Sequence, residues 1–190
     1  MAQDRPSTAH FKAVVTDRSI EEPWVVAKAR PAGRLLDIGS ATSRYLRDLA
    51  GDCDVYAIDI RPTPRQEGIA VVLGDLMHAP FAPGSFDVIT CISTVEHVGL
   101  AVYGQGPDAS GDEVALRHMR RLLRPGGRLL LTAPFGRRFV AAWHRVYDAA
   151  TFRRLTRGYK VLSQEHYKRE GERYVPCQAE DVKGADFDWL

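Results

Sequence analysis

Three carboxylates stand where three short apolar runs end. Asp37 lies in Leu35-Leu36-Asp37-Ile38-Gly39-Ser40, Asp59 closes Val55-Tyr56-Ala57-Ile58-Asp59, and Asp75 follows Ile69-Ala70-Val71-Val72-Leu73-Gly74. A fourth run, Phe86 to Ile92, opens into Ser93-Thr94-Val95-Glu96-His97. Ionised carboxylates accept hydrogen bonds, so such a set suits a ligand bearing hydroxyls and an exocyclic amine. It does not suit a diphosphate, which anionic side chains repel. His97 is the candidate general base, because an imidazole with an intrinsic pKa near 6.5 can take a proton from a hydroxyl or an amine. Glu96 is the second candidate. Glu96 and His97 with Asp108 or Asp112 fit no metal-ligand spacing, so no metal is expected.

The elements that must hold these residues alternate regularly. Strands are predicted at 34–38, 54–59, 69–73, 86–92 and 128–133, each short and apolar. Helices are predicted at 42–50, with Tyr45, Leu46 and Leu49 on one face, and over Ala115 to Leu123, stopped by Arg124-Pro125-Gly126-Gly127. Buried strands alternating with helices give an α/β fold: a doubly wound, mostly parallel Rossmann-like sheet with helices on both faces. In such a sheet, ligands bind beyond the carboxyl ends of the strands where strand order reverses. Ahead of the core, Ser19-Ile20-Glu21-Glu22 reads as a capping box, with Pro23 in the first turn of a short helix running to about Ala29. After the core, 159–167 and 172–177 read as the arms of an antiparallel hairpin on the sheet edge, turning at 168–171. Phe187, Trp189 and Leu190 in the acidic tail are expected to pack back.

The chain has 190 residues, 45% hydrophobic and 26% charged, which suits a single domain: an N-terminal segment (1–30), a ligand-binding core (33–136) and a C-terminal helix, hairpin and tail (137–190). No apolar run approaches the roughly 20 residues of a membrane-spanning helix. The first residues lack the order of a secretion signal. Three scattered cysteines, Cys53, Cys91 and Cys177, argue against a disulfide framework and against a zinc site. A cytoplasmic protein with no membrane partner is expected. Charge is uneven: 117–173 carries 15 Lys/Arg against 4 Asp/Glu, while 1–116 carries 10 against 16. Solvated helix faces are the simpler account, an anionic partner the sharper one. The basic residues are not interleaved with aromatics, so no nucleic-acid partner is expected.

The ordered set of motifs resembles the class I S-adenosylmethionine-dependent methyltransferases. Leu35 to Ser40 is similar to their first motif and Val55 to Asp59 to their second. Gly74-Asp75-Leu76, with Ser85 to Ile89, is similar to the third and fourth, and Leu122 to Leu129 to the stretch entering the fifth strand. The resemblance spans about Gly33 to Gly136. It implies S-adenosylmethionine as cofactor, with S-adenosylhomocysteine as product. Gly39 would let the backbone approach the methionine part, with Ser40 beside it and Asp37 below the turn. Asp59 would hold the ribose hydroxyls, with Ile60 following, and Asp75 would accept from the adenine amino group, with Leu76 against the ring. Ser93 would pass beside the sulfonium. In one respect the chain departs from the pattern: Ala41 and Ser43 stand where the family usually has glycine, and their Cβ atoms narrow the turn.

The implied reaction is methyl transfer to an O or N nucleophile of a small molecule. The basic stretch from Arg137 to Arg157 favours an anionic or sugar-bearing acceptor. The loop 98–112 is expected over the acceptor site, with Tyr103, His144 and Tyr147 as candidate lining. An open site fits a sizeable acceptor or a pocket completed by a homodimer. Two alternatives stand beside this reading. A non-catalytic binding or regulatory protein on the same fold is supported by the altered first turn. A nicotinamide-dependent oxidoreductase needs G-x-G-x-x-G, where this chain has Asp37-Ile38-Gly39-Ser40-Ala41-Thr42.

Overall fold

The computed structural model describes residues 16–30, 33–104 and 106–186. Residues 1–15, and the packing expected of Phe187, Trp189 and Leu190, lie outside the described residues. Helix α1 (Arg18–Ala29) comes first, then strand β1 (Arg34–Ile38), a 3-10 turn (Ser40–Thr42) and the short helix α2 (Leu46–Leu49). Strands β2 (Asp54–Asp59), β3 (Ile69–Leu73) and β4 (Phe86–Cys91) follow, then helix α3 (Gly111–Leu122) and strand β5 (Leu123–Leu131). These strands form one parallel sheet in the order β3-β2-β1-β4-β5. Strand order therefore reverses between β1 and β4, which places the ligand crevice above the carboxyl ends of those two strands.

Side chains alternate across a strand, so neighbouring leucines serve opposite faces. Leu35 joins Val55 and Val88 under α1 and α2, against Val25, Leu46 and Leu49. Leu36 joins Ile58 and Ile89 under α3, against Leu116 and Met119. Burying an aliphatic side chain is worth about 1.5–3 kcal/mol, so these two layers supply most of the force that closes the sheet.

Several boundaries differ from those the sequence suggests. Asp17, not Ser19, caps α1: its carboxylate accepts from the Arg18 amide, and Pro23 falls inside the helix. Leu123 begins β5 as soon as α3 ends, so Pro125-Gly126-Gly127 lie within the strand. The β4–β5 register shifts there, between Phe86 and Val88, and Gly126 takes φ +79°. A bulge accommodates proline and a left-handed glycine where a regular ladder would not.

Beyond the sheet lie a small hairpin, β6 (Phe139–Val140) with β7 (Arg145–Val146), then helix α4 (Ala149–Leu155). Asp148 and Thr151 cap α4 reciprocally. The C-terminal hairpin is β8 (His166–Glu170) with β9 (Arg173–Cys177), followed by helix α5 (Ala179–Val182). Its first arm runs three residues past Tyr167, where sequence alone would end it, and it turns at Gly171, φ +61°. Among the described residues it pairs only with itself, apart from the main sheet.

Candidate functional site

A cavity of about 250 Å³ opens at the carboxyl ends of β1, β2, β3 and β4. Gly39, Asp59, Ile60, Asp75, Leu76, Ser93 and His97, all singled out by sequence, line it. Asp37, Ser40 and Glu96 do not; they lie immediately behind its wall.

The floor of the cavity is the turn after β1. Gly39 has φ +81°, and a Cβ there would lie 2.3 Å from Thr94 Oγ1. Only glycine fits this crossing of two chain segments. Ser40, Ala41, Thr42 and Ser43 are absent from the positive-φ residues, so Ala41 and Ser43 carry their Cβ atoms without backbone strain. The substitution of the family glycines is thus explained: this turn tightens into a 3-10 helix, and only its first residue is left-handed. Asp37 is fully buried beneath it and accepts hydrogen bonds from the Tyr45 hydroxyl and from Thr90 Oγ1, the latter at 2.7 Å. Burial pushes its carboxyl pKa up, against those two hydrogen bonds. Through these two hydrogen bonds it braces the turn from below. Ser40 is likewise buried, with its hydroxyl unpaired among the described residues.

Asp59 is buried at the end of β2. It accepts from the Ala41 amide at 2.8 Å, the Arg61 amide at 2.7 Å and the Arg61 guanidinium at 3.2 and 3.3 Å. The guanidinium then lies 4.6 Å from the Tyr103 ring centroid. Tyr103 itself sits at φ +58° in the loop after β4. Arg61 and Tyr103 both line the cavity, so a cation and an aromatic ring extend from its Asp59 side.

Asp75 follows β3 and caps a 3-10 turn by accepting from the Met77 amide at 2.9 Å, which leaves buried Leu76 on the wall. Opposite, Ser93 ends β4 at φ +42°, a conformation that serine adopts rarely. Its amide donates to Thr132 Oγ1 at 2.9 Å and its hydroxyl to Glu21 at 2.6 Å. Glu21, largely buried in α1, has its pKa raised by desolvation. Arg18, one turn earlier, pairs with Glu21 at 3.5 Å, donates to the Ile92 carbonyl at 3.4 Å and reaches the cavity.

His97 is fixed by the turn of the β6–β7 hairpin. Its Nδ1 meets the Trp143 carbonyl, and its ring stacks on the Trp143 indole at 5.6 Å with 15° between planes. A carbonyl only accepts, so Nδ1 carries the proton and Nε2 keeps its lone pair. Burial lowers the His97 pKa, which keeps that lone pair available at neutral pH. Glu96 lies behind it, wholly buried, with Oε1 3.8 Å from His97 Nε2. Neither Glu96 oxygen accepts a hydrogen bond from another described residue, and burial pushes its pKa up to about 8.

The segment holding the pair is pinned by Arg145 of β7. This buried guanidinium donates to the carbonyls of Val98 at 2.6 Å, Glu96 at 3.4 Å and Asp108 at 3.5 Å. It also lies 3.6 Å from Asp112, which accepts from the Tyr147 hydroxyl at 2.9 Å. Gly99 and Gly111 touch backbone to backbone at the same neck. Asp112 and Tyr147 are therefore structural, and Tyr147 is not on the cavity wall; nor is His144, which is buried against Trp143. Among the described residues no group of His, Cys, Asp and Glu could hold a metal ion.

Sequence reasoning missed Arg18, Arg61, Arg145 and Trp143. An Arg18–Glu21 pair at i,i+3 and an arginine two residues past Asp59 were visible signals; Arg145 and Trp143 are brought in by a hairpin that the pattern did not reveal. The basic stretch contributes differently from the expectation. No arginine from Arg137 to Arg157 lines the cavity: Arg137 pairs with Asp186, Arg154 with Glu113, and Arg145 is buried. These residues give no support to an anionic acceptor.

With this geometry in view, comparison with known proteins decides the family. Residues 36–131 match the family model described as a methyltransferase domain. The chain belongs to that family. It is 37% identical over 110 residues to a demethylmenaquinone methyltransferase of Beutenbergia cavernae, covering 54% of this chain and 41% of that protein. It is 29% identical over 171 residues to a ubiquinone/menaquinone biosynthesis C-methyltransferase of Vibrio campbellii, covering 80% of this chain and 61% of that one. The chain thus spans about half the length of these curated relatives. Among solved structures, the Burkholderia thailandensis 1,6-didemethyltoxoflavin-N1-methyltransferase, with its substrate and S-adenosylhomocysteine bound, superposes with a TM-score of 0.57 at 20% identity. The match covers 78% of this chain and 69% of that one, and it establishes the shared fold. Membership of the methyltransferase-domain family favours methyl transfer over the nicotinamide alternative.

Proposed function

We propose that this chain binds S-adenosylmethionine in the cavity above β1 to β4 and transfers its methyl group to a small-molecule acceptor. One observation carries the reading: Gly39, Asp59, Asp75, Leu76, Ser93 and His97, far apart in sequence, line a single cavity at the switch point. The residues present fit the cofactor. The Gly39 cradle has no room for a Cβ, buried Asp59 offers acceptors for vicinal hydroxyls, and Leu76 supplies an apolar wall beside Asp75. Arg18 is the cation on the Gly39 side and suits the methionine carboxylate. Both Asp59 oxygens accept from the Arg61 guanidinium, so incoming hydroxyls take the place of those two bonds while the cation keeps the Tyr103 ring.

When bound, the cofactor supplies an electrophilic methyl on a sulfonium, and the protein's part is alignment and proton removal. His97 lines the cavity, and as a neutral base with its lone pair on Nε2 it takes the proton of an acceptor hydroxyl or amine. The stacked Trp143 and the Tyr103 ring offer flat apolar surfaces beside it, suited to a ring-bearing acceptor, whether sugar or aromatic. A second reading, attack by carbon, is favoured by the relatives named for C-methylation; there the same base would ionise a ring hydroxyl conjugated to that carbon. Glu96, kept neutral by burial, adds no charge that would raise the His97 pKa.

The test is release of S-adenosylhomocysteine with a panel of hydroxylated aromatic and sugar acceptors. An active acceptor is expected, with His97→Ala lowering kcat about 10²–10⁴-fold and leaving S-adenosylhomocysteine affinity within about twofold. Cofactor binding without turnover for any acceptor would move the chain to the non-catalytic alternative.

A further inference from the structure

We infer that the surface formed by the end of α4 and the chain just beyond it docks onto an anionic lipid bilayer. A cleft of about 560 Å³, separate from the cofactor cavity, is bordered by Arg153, Arg157, Tyr159 and Val161. Its construction is specific. Tyr159 is anchored inward by its hydroxyl, which donates to the Leu116 carbonyl at 2.7 Å. Gly158 turns the chain at φ +93° against the Arg120 guanidinium, where any Cβ would collide at 2.4 Å. The turn sends Lys160, Val161 and Leu162 outward, and Val161 and Leu162 are left 53% and 73% exposed. Arg153, Arg157 and Lys160 are exposed too, and their side chains make no ion pair among the described residues. Two protruding aliphatics among unpaired cations form the pattern that sits at a bilayer interface: the apolar pair enters the headgroup boundary and the basic residues stay in the anionic plane.

Charge complementarity selects a bilayer over a single soluble anion. None of the cleft's basic side chains is buried, and an exposed arginine gains little from one anion in water. An anionic membrane presents many charges at once and gains about fivefold in partition per basic residue near the surface. Single-stranded nucleic acid would use stacking platforms between its cations, and Val161-Leu162 offers none. Three of the 15 Lys/Arg in 117–173, Arg153, Arg157 and Lys160, lie on this surface.

Vesicle co-sedimentation tests this. Wild-type protein is expected to pellet with phosphatidylglycerol-containing vesicles and not with pure phosphatidylcholine, and to be released by salt. Arg153→Gln with Arg157→Gln should lower partition about 30-fold. Leu162→Ser should lower it about tenfold with the salt dependence unchanged. All three positions are exposed, and unchanged circular dichroism would show that the variants are folded. Failure to pellet, equal binding to neutral vesicles, or a double variant that binds like wild type would each overturn the proposal. So would displacement from vesicles by millimolar inorganic phosphate or by duplex DNA, which would identify a soluble anion or nucleic acid as the ligand. S-adenosylhomocysteine affinity should be unaffected in every variant, so the outcome is independent of the proposed methyl transfer.

Discussion

Replacing Glu96 by Gln should make the protein less sensitive to alkali, and the size of the effect follows from burial. Glu96 has no exposed surface, no hydrogen bond from another described residue, and a pKa raised from 4.5 to about 8. Between those values the folded state holds a proton that the unfolded state has released. Stability contributed by this group is therefore complete below about pH 4.5 and falls as pH rises, until the group ionises in the fold near pH 8. Each pH unit in that window removes about 1.4 kcal/mol, or about 4 kcal/mol between pH 5 and 8. Glu96→Gln keeps the shape and cannot ionise, so it should lack this loss. Asp37, whose pKa burial also raises, titrates in both proteins and cancels in the difference; Glu21, which repels the ionised Glu96, adds to the same trend. Urea unfolding of wild type and Glu96→Gln from pH 5 to 9 at fixed ionic strength measures it. The variant should gain on wild type steadily as pH rises. Parallel stability curves, or a variant less stable than wild type at pH 8, would refute the assignment of a neutral buried acid behind His97.

Other perturbations test the frame around that pair. Arg145→Met leaves Asp112 buried without its cation and strips three carbonyls of their donor, so urea denaturation should show a loss of about 3–5 kcal/mol. Adding Asp112→Asn should recover part of it. Asp37→Ala removes the acceptor of two buried hydroxyls, those of Tyr45 and Thr90, and should cost about 3 kcal/mol by the same measurement. Gly39→Ala forces a left-handed alanine against Thr94; about 1–2 kcal/mol of stability should be lost, and S-adenosylhomocysteine affinity should fall more than stability alone requires.

Most of the sheet could be read from the chain because its physics is local. A buried parallel strand must be a short apolar run, and β1 to β4 fall within a residue of where those runs stand. The cavity-lining residues were legible for the same reason: in this topology the residues at and after each strand end are at the rim, so Gly39, Asp59, Asp75 and Ser93 needed no tertiary information. Where the sequence misled, long-range contacts made the decision. Pro125-Gly126-Gly127 looks like a helix stop, yet pairing with β4 draws it into a bulged strand. Asp112 resembles a possible ligand acid until Arg145 arrives from 33 positions further along the chain. Tyr147 and His144 look like pocket aromatics, but both are buried away from the cavity wall, and the β6–β7 hairpin stacks Trp143 on His97 instead. The hairpin has two-residue arms, too short for an alternation signal.

The central claim is that the cavity above β1 to β4 holds an adenosyl cofactor through Asp59. Isothermal titration with S-adenosylhomocysteine, on wild type and on Asp59→Ala, measures it directly. Saturable one-to-one binding to wild type, weakened about 100-fold or more in the variant, is the predicted result. No heat of binding with wild type, or equal affinity in the two proteins, would contradict it.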